Sequence, residues 1–134
     1  MSDADPVEFL TLEDLLAAGA AYLGARPQVR DYGILEAAVG RPQAVVFGEA
    51  VYPDIHFKAA ALLHSVVKGH ALVDGNKRLG LGALRLFYAL NGYTFIADDD
   101  QKFELVMDVA ESHLVAVEDI AARLEKFTRP SSAR

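Results

Sequence analysis

The sequence predicts an all-α domain: a helical bundle around one buried central helix, with a small β-hairpin flap at its edge. Three observations carry this expectation. Apolar residues recur at three- and four-residue spacing through most of the 134 residues. The segment "NKRLGLGALRLFYAL" is apolar on almost every side, as a helix at the centre of a domain is. Strand-favouring residues concentrate in one short stretch, "AVVFGEAVYP". With 52% hydrophobic residues, a disordered chain is excluded, and the length suffices for one core without staples.

Each element has its own signals. Thr11 and Asp14 form a capping-box pattern that opens a helix over "LEDLLAAGAAYL", with Leu12, Leu15, Leu16 and Leu23 at helical spacing. "GARPQVRD" reads as a loop and "GILEAAVG" as a short helix closed by Gly40 and Pro42. In the hairpin, Val45, Val46, Phe47, Val51 and Tyr52 favour strand, and Gly48-Glu49 turns them back. Asp54 caps "IHFKAAALLHSVVKG", which Gly69 ends. The central helix runs from about Asn76 to Leu90 and stops at Asn91-Gly92. Its Gly80 and Gly82 each cost about 1 kcal/mol against Ala, a cost that a helix packed close to them explains. Asp98 to Asp100 start the next helix, with Phe103, Val106, Met107, Ala110 and Leu114 as its inner stripe. A last helix, about Val117 to Phe127, turns Ile120, Leu124 and Phe127 inward. "TRPSSAR" reads as a frayed tail, so the expected layout is one domain over 1–128 and a flexible tail over 129–134.

Composition removes several classes of function. The absence of Cys excludes a disulfide framework and thiolate metal sites. No apolar run reaches membrane-spanning length, and the acidic start "MSDADPVEF" lacks the layout of a signal peptide, which points to the cytoplasm. A net charge of −6 argues against direct nucleic-acid binding. That charge is uneven. Between residues 68 and 85, Lys68, Lys77, Arg78 and Arg85 face the single acid Asp74, whereas the rest of the chain holds 9 basic and 18 acidic residues. An anion repelled elsewhere is attracted here.

At the middle of this basic segment stands "GHALVDGNKRLG", residues 69–80. It joins two helices, and the second begins near Gly75-Asn76. A helix start offers unpaired N–H groups and partial positive charge to phosphate oxygens. Gly75 lets a ligand approach the backbone, Arg78 presents forked donors on the first turn, and Lys77 adds a cation. Asp74 is either a simple N-cap or a hard oxygen ligand for Mg²⁺. His70 is either a solvated loop residue or a general base for an attacking hydroxyl. Together these are the parts that phosphoryl or nucleotidyl transfer requires. The other histidines contribute no Zn pair: His56, His64 and His70 lack the i, i+4 spacing, so His64 reads as a packing residue and His56 and His113 as surface residues.

"HALVDGNKR" resembles the signature of the Fic superfamily, usually His-Pro-Phe-x-Asp/Glu-Gly-Asn-x-Arg, and its penultimate Lys resembles the death-on-curing (Doc) branch, toxins of bacterial toxin–antitoxin pairs. "LTLEDLL", "VRDYGILEAAVGRPQ", "KAAALLHSVVKGHALVDGNKR" and "LNGYTF" extend the likeness, in the same order, over most of the chain. The resemblance implies a Fic/Doc-like fold in which His70 is the catalytic base and Asp74 binds Mg²⁺. Gly75 and Asn76 form the anion cradle, and Arg78 grips the phosphates of ATP. Lys77 occupies a position that is glycine in the AMP-transferring members, and implies transfer of the γ-phosphate to a protein hydroxyl. Elongation factor Tu is the target the branch implies, and arrest of translation the outcome. AMP transfer and a non-catalytic antitoxin-binding fold-mate are the alternatives. The hairpin, with Val46, Phe47, Gly48 and Glu49 at its tip, matches the target-docking flap of the superfamily; a plain surface connection is the other reading. Three positions depart from the pattern: Ala71 for Pro, Leu72 for Phe, and Leu79 for the Thr common after Asn-Lys-Arg. Leu72 keeps the apolar anchor of the loop, and Leu79 reads as a core choice. No Ser or Thr is followed four positions later by Glu, the pattern of the superfamily's inhibitory helix. External restraint by a Phd-like antitoxin is what that implies.

Overall fold

The computed structural model describes residues 6–131. In chain order it contains α1 (Leu12–Leu23), α2 (Tyr32–Gly40), a 3₁₀ turn (Arg41–Gln43), β1 (Val45–Val46), β2 (Glu49–Ala50), α3 (Ile55–Gly69), α4 (Asn76–Leu90), β3 (Tyr93–Phe95), α5 (Asp99–Ala110), α6 (Val117–Lys126) and β4 (Thr128–Pro130). The helix starts follow their caps. The Thr11 hydroxyl accepts from the Asp14 N–H and the Asp14 carboxylate from the Thr11 N–H. The Asp54 carboxylate accepts from the amides of His56 and Phe57, and Asp98 and Gln101 close a second capping box.

α4 lies at the centre as the sequence predicts, but α3 shares that position. Against α3 pack α2, α4, α5 and α6; against α4 pack α1, α3, α5 and β3. Eight residues of each are buried. The two glycines of α4 are packing residues. A Cβ on Gly80 would lie 2.9 Å from Val67 Cγ2 and 3.0 Å from Leu63 Cδ1, both on α3. A Cβ on Gly82 would lie 3.1 Å from the Ala18 carbonyl oxygen of α1. Helix propensity favours Ala at position 80 by about 1 kcal/mol, but overpacking costs about 1–3 kcal/mol. Gly80→Ala is therefore expected to lower stability by up to about 2 kcal/mol in urea denaturation.

Four expectations need correction. The hairpin turns at Phe47-Gly48, one residue before Gly48-Glu49, with φ of 52° and 80°. That left-handed pair matches the twist of the two strands. α3 ends on His70, in the left-handed region at φ 54°, while Gly69 is the last helical residue and is glycine for packing, since a Cβ there would lie 2.6 Å from Ile34 Cγ2. Thr128–Pro130, read as the start of a frayed tail, pairs antiparallel with Tyr93–Phe95, and the Ser131 N–H donates to the Gly92 carbonyl. Residues 132–134 lie outside the described residues. Finally, Phe103 is not in the inner stripe of α5: it is 64% exposed, whereas Val106 is buried as expected and Leu105 and Val109 are buried with it.

Candidate active site

The loop between α3 and α4 is fastened at every step. The Ala71 carbonyl accepts from the amides of Arg30 and Asp31 at 2.7 and 3.1 Å, and the Val73 N–H donates to Gln28 at 3.0 Å. Leu72 bridges Val29 and is fully buried, so the apolar anchor survives the departure from Phe. The Asn76 side chain closes the loop, accepting from the Leu72 N–H at 2.9 Å and donating to the Leu72 carbonyl at 3.2 Å. Its side-chain amide is therefore spent on holding the loop, which leaves its backbone N–H as the donor it has for a ligand.

Gly75 is the N-cap of α4 at φ 93°, and a Cβ there would meet Leu23 Cδ2 at 2.7 Å. Both facts require glycine. The first intrahelical bond runs from the Leu79 N–H to the Gly75 carbonyl, and no side chain caps the helix. The amides of Asn76, Lys77 and Arg78 thus keep their donors for a ligand. Asp74 is exposed and does not cap, which removes the simple N-cap reading.

Asp74, Gly75, Asn76, Lys77 and Arg78 line one open cavity of about 430 Å³, whose other walls are Tyr22, Leu81 and the α5 face carrying Asp99, Lys102, Phe103 and Val106. Of the four cations of the basic segment, two reach this cavity. Lys68 is tied to Ser112 and the Ala110 carbonyl, and Arg85 borders a separate groove between α1 and α4. His70 does not line the cavity. It is exposed at the other end of the loop, where the Arg30 guanidinium donates to its carbonyl at 2.7 Å. The hairpin tip also stands apart, with Val46 54% and Phe47 101% exposed. Leu79 is fully buried, a core residue as expected.

Sequence reading missed Arg30, Tyr22 and the α5 wall. Arg30 lies 40 residues from the carbonyl it holds, and no local pattern announces such a contact.

Two histidines have structural duties. His64 Nδ1 accepts from Arg41 at 3.0 Å, and Arg41 also donates to the Tyr52 hydroxyl at 2.7 Å, pinning the base of the hairpin to α3. His56, expected at the surface, is half-buried with Nδ1 2.9 Å from the Tyr88 hydroxyl. Burial lowers the pKa of both, and the Arg41 charge adds to the effect at His64. Each group binds its proton more weakly folded than unfolded. Their contribution to stability is thus complete above the unfolded value near 6.5 and lost as pH falls through the lower folded values. Stability is expected to decline from pH 7 to 5.5, and His56→Gln with His64→Gln to flatten that slope in denaturation series.

A helical bundle that presents a glycine-capped, unsatisfied helix start and two cations to one cavity resembles the proteins that handle phosphate groups. Comparison with known proteins identifies which ones. The Fic/DOC family model matches residues 5–88. A protein called Toxin Doc from Mycolicibacterium smegmatis (strain ATCC 700084 / mc(2)155) is 46% identical over 121 residues, 90% of this chain and 93% of that protein. The chain belongs to the Fic/DOC family.

Proposed function

We propose that this protein is the toxin of a toxin–antitoxin pair and that it transfers the γ-phosphate of ATP to a hydroxyl side chain of a translation factor resembling elongation factor Tu, stopping translation. The observation that carries the reading is the shared cavity of Asp74, Gly75, Lys77 and Arg78 at an uncapped helix start in a Fic/DOC chain. The name of the relative, Toxin Doc, supports the biological role.

In this reading the amides of Asn76 to Arg78 and the Arg78 guanidinium hold the phosphates. Lys77 places its charge at the terminal phosphate. His70 takes the proton of the acceptor hydroxyl, whose oxygen bonds to the γ-phosphorus as the bond to the β–γ bridging oxygen breaks and ADP leaves. Asp74, an exposed carboxylate on the cavity wall, would hold Mg²⁺ that arrives with the nucleotide, since one or two carboxylates are the usual protein share for this ion. Bound there, Mg²⁺ would neutralise charge on the phosphates.

The hairpin presents the acceptor segment by strand addition, with Val46, Phe47, Gly48 and Glu49 as the contact. A Phe47→Gly variant relieves a left-handed non-glycine residue worth about 1 kcal/mol. It is expected to fold at least as stably as wild type while protein phosphorylation falls roughly tenfold or more through lost apolar contact. ATP binding by calorimetry is expected to stay unchanged. Restraint comes from a Phd-like antitoxin. The apolar groove of Ala17, Ala18, Ala21, Leu86 and Ala89 suits an amphipathic helix of that partner.

The test is incubation with a translation extract and ATP labelled at the α- or the γ-phosphate. Protein labelled from the γ position alone is expected. Label from the α position would establish AMP transfer, and none from either a binding module.

A further inference from the structure

Phe103 is the anomaly of α5. Residues 99, 102, 103 and 106 form one face of the helix, and only Val106 at its inner edge is buried. A phenyl ring 64% exposed lies on the wall of the same cavity that the α4 start enters from the opposite side. The two walls differ in charge. The α4 wall carries Lys77, Arg78 and three free amides against Asp74. On the α5 wall the single cation Lys102 is offset by Asp99, 3.9 Å away. A ligand with an anionic end and a flat apolar end has one favourable orientation here: anion to α4, ring to α5.

We propose that Phe103 is the platform on which the base of the nucleotide stacks, making the α5 face the nucleoside subsite. The proposal rests on the nucleotide reading above and adds to it a residue that determines affinity for the base. The cavity, about 430 Å³, falls within the usual range of small-molecule sites. Stacking makes no hydrogen-bond demand on the base, so the subsite accepts purines generally and prefers them to pyrimidines through their larger area.

The chain contains no Trp, so Phe103→Trp creates a sole indole reporter at the subsite. Titration of that variant with Mg-ATP is expected to quench its emission, and titration with Mg-triphosphate to leave it unchanged. By calorimetry, Phe103→Ala is expected to weaken ATP about tenfold or more while leaving inorganic triphosphate affinity as in wild type. Phe103→Tyr is expected to retain ATP. The proposal is overturned if Phe103→Ala binds ATP like wild type while Arg78→Ala does not; the nucleotide reading then stands without this subsite. It is equally overturned if Phe103→Ala weakens ATP and triphosphate alike, which marks a merely structural role. Wild-type protein that binds neither ligand removes the nucleotide reading, and the subsite with it. Helix content by circular dichroism checks that each variant is folded.

Discussion

Replacing His70 by Asn is expected to reduce phosphate transfer by about 10²- to 10⁴-fold and to abolish growth arrest, with little change in melting temperature. The choice of substitute follows from the backbone. His70 closes α3 at φ 54°, a conformation that Asn adopts more readily than Ala does. Asn therefore removes the imidazole without adding strain, and lost activity reports lost proton transfer. The Arg30 bond goes to the His70 carbonyl and survives the exchange. Initial rates of label transfer, measured at saturating ATP, give the comparison. A variant that still phosphorylates its target at the wild-type rate would remove His70 from the chemistry.

The second large effect is expected from Asn76→Ala. The variant strips both hydrogen bonds from Leu72, whose side chain is fully buried, leaving one N–H and one carbonyl without their partners. Such losses cost about 1–3 kcal/mol each when water cannot replace them, so a loss of about 2–6 kcal/mol in total is expected in urea denaturation. Activity is expected to fall about 100-fold, since displacing a reacting group by about 1 Å has that effect. Asn76→Asp discriminates further. It keeps an acceptor for the Leu72 N–H but sets a carboxylate against the Leu72 carbonyl and beside the phosphates, so it is expected to be no better than Ala in transfer.

The six helices were legible because each is written in local chemistry. Thr11, Asp54 and Asp98 cap where their side chains reach the following amides, and α4 shows its central place in leucines spaced on every side. The glycines at 80 and 82 told of close neighbours, though not which ones. What escaped the sequence depends on pairs far apart in the chain. Tyr93–Phe95 has strand-forming residues but becomes a strand only because Thr128–Pro130 returns beside it. Phe103 fits an amphipathic pattern nearly as well as Val106 does. Which of two adjacent apolar faces is covered depends on where neighbouring helices lie, and here they cover Leu105 and Val109.

The site divides in the same way. The motif itself placed Asp74, Gly75, Lys77 and Arg78, because a helix start puts consecutive residues around one point in space. The role of Asn76 could not be read there: an amide at that position serves an anion or the loop equally well, and only the two bonds to Leu72 decide for the loop. The position of Arg30 beside His70, and the α5 wall, come from segments distant in sequence that the fold brings together.

The central claim is that a nucleotide's phosphates sit at the start of α4 and that its terminal phosphate extends beyond the cavity towards His70 at the other end of the loop. Its most direct test is titration of ¹⁵N-labelled protein with Mg-ATP, followed by the amide resonances of Gly75, Asn76, Lys77 and Arg78 and by the imidazole resonances of His70. Saturable shifts at both groups, with one dissociation constant, are the expected result. Shifts confined to the α1–α4 groove, or none at Gly75 to Arg78 under saturating nucleotide, would contradict it.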